Sequence, residues 1–249
     1  MINKITVELS LPENIRPNYL GSVLHGVLME YLSEEMADQL HHNYAYSPLK
    51  QRIYYENNMV VWEIVSMVEA LSKELIQLFS TQDKIFLRHY QTEIELSTFK
   101  VKKYNIQDMM NAFLGTEDLD RFVRLKVHTP MSFKVNKRYT IFPEIKHFFR
   151  SIMIQFDAFF EDYRMYDNET FEFLVSHVNI VDYKLKSTRF HLEKVKIPSY
   201  VGEITLKIQG PLPFLQLVNF LLKFGELSGS GIKTSLGMGK YSIIEKDKI

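Results

Sequence analysis

The chain is 249 residues long, 46% hydrophobic and 13% aromatic, with 30 basic and 30 acidic side chains and no cysteine. That composition supports a substantial core and argues against intrinsic disorder, and the missing cysteines exclude disulfides and thiolate metal sites. No apolar run approaches the roughly 18–20 residues of a bilayer-spanning helix, and MINKITVELSLPEN lacks a signal peptide's apolar core, so a cytoplasmic protein with no membrane partner is expected.

In chain order, KITVELSL (4–11) alternates as a strand does. Pro17 then opens a helix on which Leu20, Val23, Leu24, Val27, Leu28, Tyr31 and Leu32 form an apolar stripe. QRIYYENNMVVWEIVSM (51–67) is two strand-like runs around Glu56-Asn57-Asn58, a hairpin signal. VEALSKELIQLF (68–79) is a second amphipathic helix, and residues 84–103 hold further strand material. Strand, helix, hairpin, helix, strand is the order of a ferredoxin-like split βαβ unit.

The second half repeats that order. FVRLKVHTPMSF (122–133) is a strand entering a proline turn, and residues 142–163 are helical, with Pro143 suited to the first turn. Residues 176–187 and 192–208 pair as strands, 211–227 is an apolar helix, and KYSII (240–244) is a final strand. The expected fold is therefore α+β, two tandem ferredoxin-like domains over residues 1–118 and 119–249, divided near GTEDLDR (115–121), with a C-terminal glycine-rich loop.

The neutral total hides an asymmetry. Residues 1–120 carry 10 basic against 17 acidic side chains, a net of −7, and residues 121–249 carry 20 against 13, a net of +7. A basic half points to an anionic partner on one side, or to two halves that neutralise each other. Five of the 10 glycines fall in residues 225–239, within GELSGSGIKTSLGMGKYS. The run fits neither G-x-x-x-x-G-K-[ST] nor G-x-G-x-x-G, and it joins a helix to a strand, which rules against a P-loop or Rossmann role. Glycines at 229, 231, 237 and 239 let backbone approach a phosphate or another segment closely, while Lys233, Lys240, Thr234 and Ser235 add charge and hydroxyl groups. On that basis Gly231→Val or Gly237→Val is expected to weaken binding of such an anionic partner more than stability.

Placed between an apolar helix and the last strand, this run resembles the C-terminal glycine-rich loop of the repeat-associated RNA-binding (RAMP) proteins of CRISPR systems. YLGSVLHGVLMEYLSEEMADQLHHNYAYSPL (19–49), RLKVHTPMSFKVNKRYTIFPE (124–144) and KIPSYVGEITLKIQG (196–210) are similar to the repeat-processing endoribonuclease branch of that superfamily, Cas6. The resemblance implies metal-independent cleavage of a precursor RNA within its repeats. The 2′-hydroxyl attacks the adjacent phosphate, leaving a 2′,3′-cyclic phosphate and a 5′-hydroxyl. No cofactor is expected, and the absence of cysteine and of H-E-x-x-H agrees with that. The implied partner is the repeat RNA, with effector-complex subunits and a second copy of the chain left open. A non-catalytic RNA-binding subunit of an effector complex is the alternative.

Such chemistry needs a base, an acid and positive charge at the phosphate. The resemblance points to His41 or its neighbour His42 as the catalytic imidazole, in a loop after the first helical region. His25, off the core-facing stripe and beside Gly26, is a second participant, as base or as a group that orients the substrate. Lys50 is placed to stabilise the phosphate, and Tyr44 and Tyr46 to stack on bases or to pack. For RNA binding, Arg124, Lys126 and His128 alternate with Val123, Leu125 and Val127, giving one basic face. Lys134, Lys137 and Arg138 extend it, and Lys184, Lys186, Arg189, Lys194 and Lys196 form a second basic segment.

Overall fold

The computed structural model describes residues 1–17, 20–42, 44–192 and 195–245. It divides into two units, residues 1–105 with 235–237, and residues 106–234 with 238–249.

In the first unit, β1 (Ile2–Ser10), β2 (Leu49–Glu56), β3 (Met59–Ser66), β4 (Lys84–Leu87) and β5 (Thr92–Tyr104) form one sheet in the order β2-β3-β1-β5-β4. The pairings are antiparallel, with β1 between β3 and β5. Helices α1 (Leu20–Tyr31) and α3 (Glu69–Thr81) supply the two helices of the split βαβ pattern, and β4 is an added edge strand. The β2–β3 turn is tight because Asn57 and Asn58 adopt φ of 48° and 64°, the left-handed pair a two-residue hairpin requires. On α1, Leu20, Leu24, Val27 and Leu28 are buried at the predicted spacing. They join Ile5, Trp62, Ile64, Leu71 and Leu75 in one core. Each such side chain stabilises the fold by about 1.5–3 kcal/mol relative to exposure.

Between α1 and β2 lies a separate helix, α2 (Glu34–His42). Ser33 caps it, its Oγ accepting from the Met36 N–H at 3.2 Å. Ser33 also donates its own N–H and hydroxyl to the two carboxylate oxygens of Glu74, each at 2.8 Å.

In the second unit, β6 (Phe122–Met131), β9 (Val178–Leu192), β10 (Val195–Ile208) and β11 (Tyr241–Ile244) are ordered β11-β6-β10-β9, again the split βαβ arrangement. Helices α5 (Ile145–Phe159) and α7 (Leu212–Ser228) stand at the two crossovers, and α6 (Asn168–His177) and the hairpin β7 (Phe133–Val135)–β8 (Arg138–Thr140) are insertions. Pro143 precedes the Glu144 cap of α5 and is not in its first turn. Helix α4 (Ile106–Leu114) belongs to this unit. Gln216 donates to the carbonyls of Leu114 and Thr116 at 3.0 and 3.1 Å, and Phe113 meets Phe220 edge to face, so α4 and the residues just after it pack with α7. Helix α7 is buried nearly all round, and Tyr241 reaches across it to donate to the Leu222 carbonyl at 2.8 Å. Among the described residues no helix is long and apolar enough to cross a membrane.

Candidate active site

His41 and His42 close the last turn of α2 instead of standing in a loop. The cap at Ser33 and the burial of Met36 carry the helix through to that point. Both imidazoles are exposed, 6.2 Å apart and tilted by 51°. His42 Nε2 lies 3.6 Å from the Asp38 carboxylate one turn back. Tyr46 is exposed, Tyr44 half-buried and His25 half-buried on α1. A side chain added at Gly26 would meet nothing within 4 Å.

Lys50 departs most from a solvated point charge. It lies in β2, opposite Val65, and is only 5% exposed. Burial pushes its pKa down from 10.5 to about 7, because an ammonium loses its hydration there and the neutral amine does not. Perturbed groups of this kind concentrate at functional sites. Two residues on, Arg52 pairs with Glu63 through Nε and Nη2 at 3.2 and 3.1 Å and lies over the Tyr54 ring at 4.2 Å. Lys4 adds a second cation 3.8 Å from Glu63.

Between Lys50 and Arg52 stands Gln51, which the sequence did not single out. Its Nε2 donates to the Gly21 carbonyl at 3.0 Å and to the Ser235 carbonyl at 2.7 Å, and its Oε1 accepts from Trp62 Nε1 at 2.8 Å. No local pattern in the sequence marks it, because its burial and its partners 30 and 184 residues away come from the packing.

The glycine segment turns its glycines onto the protein's own backbone. A Cβ on Gly239 would sit 2.0 Å from the Ser230 carbonyl oxygen, and one on Gly231 would sit 2.5 Å from that of Ser132. A Cβ on Gly229 would lie 3.1 Å from the Gly239 carbonyl oxygen. Gly237 has room, with its nearest neighbour at 3.7 Å, but its φ of 101° strains any other residue. The expectation that Gly231→Val chiefly affects RNA binding is therefore corrected, because its side chain would displace Ser132. What the segment exposes is Lys233, held at φ 56°. Thr234 is buried, while Ser235 and Lys240 are half-buried. Residues 235–237 count with the first unit, although the residues on either side count with the second.

Strand β6 alternates as expected, with Val123, Leu125 and Val127 inward and Arg124 and His128 exposed. Its basic face is shared with an acid. Glu203 of β10 accepts from Lys126 at 2.8 Å and from Arg124 at 3.1 Å, and Lys126 first, then Arg124, hold its carboxyl below the usual range. Lys134 and Lys137 are exposed but sit on the β7–β8 hairpin, Lys134 over Tyr139, and do not continue β6. Lys184, Lys186, Arg189 and Lys196 are exposed on β9 and β10, and Lys194 lies outside the described residues. Among the described residues no group of three or more His, Asp or Glu side chains could hold a metal ion.

The fold, two ferredoxin-like units in tandem, is shared by solved proteins. A solved RAMP protein described as binding different RNA substrates aligns over 98% of this chain and 100% of its own, with a TM-score of 0.62 at 14% identity. A Thermus thermophilus Cas6 captured as a product complex aligns with a TM-score of 0.81 over 98% of this chain and 100% of its own, at 18% identity. In sequence, the CRISPR-associated endoribonuclease Cas6 of Streptococcus thermophilus is 28% identical over 235 residues, 91% of this chain and 92% of the relative. The family model "CRISPR-associated endoribonuclease Cas6" matches residues 125–241. The chain is thus similar to Cas6 endoribonucleases, in sequence over nine-tenths of its length and in fold over nearly all of it.

Proposed function

We propose that this chain is an endoribonuclease that matures CRISPR guide RNA by cutting precursor RNA within its repeats, without a metal ion. The observation that carries the reading is the presence in one unit of two exposed imidazoles at the end of α2 and, nine and eight residues later on β2, a buried lysine whose pKa burial pushes down to about 7. Relatives named as endoribonucleases over nine-tenths of the chain support it.

In the proposed reaction the 2′-oxygen forms a bond to phosphorus as the bond from phosphorus to the 5′-oxygen breaks. One proton leaves the 2′-hydroxyl for a base, and one reaches the 5′-oxygen from an acid, so the products are a 2′,3′-cyclic phosphate and a 5′-hydroxyl. Imidazoles suit both transfers, since their ordinary pKa of about 6.5 leaves acid and base forms populated near neutrality. His41 or His42 is assigned one transfer, and His25 the other or the orientation of the substrate. The Lys50 ammonium balances charge gathering on the non-bridging oxygens, where low dielectric strengthens its effect. Arg124, Lys126, Lys134, Lys137 and Lys233 are assigned to the RNA backbone, and the glycines at 229, 231, 237 and 239 to shaping the segment that carries Lys233, Thr234, Ser235 and Lys240. The test is cleavage of the host's repeat RNA beside an RNA of the same composition in scrambled order. A single cut confined to the repeat supports the reading, and binding without a cut would make the chain an RNA-holding subunit.

A further inference from the structure

We propose that Gln51 is a positioning residue for RNA cleavage, an inference that rests on the endoribonuclease reading above. Its side chain is 4% exposed, and the amide is fully determined by its neighbours. Both N–H groups of Nε2 are taken, one by the Gly21 carbonyl at 3.0 Å and one by the Ser235 carbonyl at 2.7 Å. The oxygen is taken by the Trp62 indole N–H at 2.8 Å. A flipped amide would set its oxygen against two carbonyl oxygens and its NH₂ against an N–H, so one orientation is enforced.

The three partners lie on segments of different importance. Gly21 is in the first turn of α1, and its carbonyl is the one that the helical repeat pairs with the N–H of His25. Gln51 itself follows Lys50 in β2, and strand alternation sends the two side chains to opposite faces. Ser235 is the first of the three glycine-segment residues that belong to this unit. One amide therefore fixes the turn carrying His25, the strand carrying Lys50 and the tip of the glycine segment. Trp62, wholly buried, holds that amide from behind. Gln51 makes no proposed contact with RNA, so its effect falls on the geometry of bound substrate more than on affinity. Misplacement of reacting groups by about 1 Å costs on the order of a hundredfold in rate.

The experiment uses the full chain and labelled repeat RNA, and measures single-turnover cleavage at saturating protein alongside the dissociation constant. Gln51→Met keeps the volume and removes both donors. Trp62→Phe keeps an aromatic side chain but removes the N–H that orients the amide together with the five-membered part of the indole, a second variant should the first fold poorly. The expected result is a tenfold or greater fall in the rate of bound RNA for Gln51→Met and about threefold for Trp62→Phe, with affinities within threefold of wild type. Because Trp62 is the one tryptophan of the chain, its emission shifts in Gln51→Met if the amide is seated as described. Unchanged cleavage of bound RNA in folded variants would overturn the proposal, as would a loss confined to affinity. A wild-type chain that binds the repeat without cutting it would instead overturn the endoribonuclease reading itself.

Discussion

Ser230 donates its backbone N–H to the Gly239 carbonyl at 2.9 Å, while Gly239 donates its own to the Pro130 carbonyl at 3.0 Å. The two ends of the glycine segment are thus tied to each other and to the end of β6. Gly239→Ala places a methyl group 2.0 Å from the Ser230 oxygen at a φ of 73°, so clash and backbone strain add. The expected loss is about 3 kcal/mol or more. Gly237→Ala makes an ordinary contact with the Gln51 carbonyl oxygen at 3.7 Å, so only its φ of 101° costs stability, about 1 kcal/mol. Urea denaturation of the two variants checks the order, and equal stabilities would contradict the packing described.

Lys50 makes stability depend on pH in a defined direction. Its folded pKa of about 7 lies below the unfolded value of 10.5. Between those values the unfolded chain binds a proton that the folded chain does not, so stability rises with pH across that window. The contribution is fully present above the unfolded pKa and is lost as pH falls through about 7. Lys50→Met is expected to be more stable than wild type at pH 7 by a few kcal/mol at most, on the order of the burial cost of one ammonium, and the gap should close toward pH 10. Denaturation curves at intervals over that range would show it, and a gap independent of pH would sink the assignment. The same substitution should slow cleavage, which separates a functional cost from a gain in stability.

Glu203 restrains Arg124 and Lys126 through contacts of 3.1 and 2.8 Å. If these two cations meet RNA phosphates, Glu203→Gln removes a repelling charge and frees both. Affinity for repeat RNA at low salt should rise about threefold to tenfold, and Arg124→Ala should weaken binding and flatten its salt dependence by about one counterion. A titration of both variants at two salt concentrations decides it. No response in either would remove this strand face from the RNA-binding surface.

Both ferredoxin-like units were legible because each element carried its own local signal. The alternation of β6, the stripe on α1 and the Asn57-Asn58 turn are all short-range patterns. Helix α2 was missed as a separate element, since its apolar side is short, with Met36 buried and Leu40 half-buried against the core. Its start was nonetheless readable, for Ser33 followed by Glu34 and Glu35 is a capping sequence that also suits the positive end of a helix dipole. Asp167 likewise caps α6 by accepting from the Thr170 N–H at 2.9 Å. The site was legible only in its residue types. The burial of Lys50 arises from packing that no local window reports, and the bond from Gln51 to Ser235 spans 184 residues. Likewise, the glycine pattern marked close backbone approach correctly, while the atoms approached proved to be carbonyls of Ser132, Ser230 and Gly239.

The central claim is metal-free cleavage by imidazoles at the end of α2. The measurement that tests it most directly is single-turnover cleavage of end-labelled repeat RNA in excess EDTA, comparing wild type with His41→Ala and His42→Ala and identifying the product ends. The account predicts one cut with a 2′,3′-cyclic phosphate and a 5′-hydroxyl, reduced at least a hundredfold by one of the two substitutions and far less by the other, in line with the cost of removing an acid or base group. Cleavage abolished by EDTA, a 3′-hydroxyl product, or full activity in both variants would contradict it.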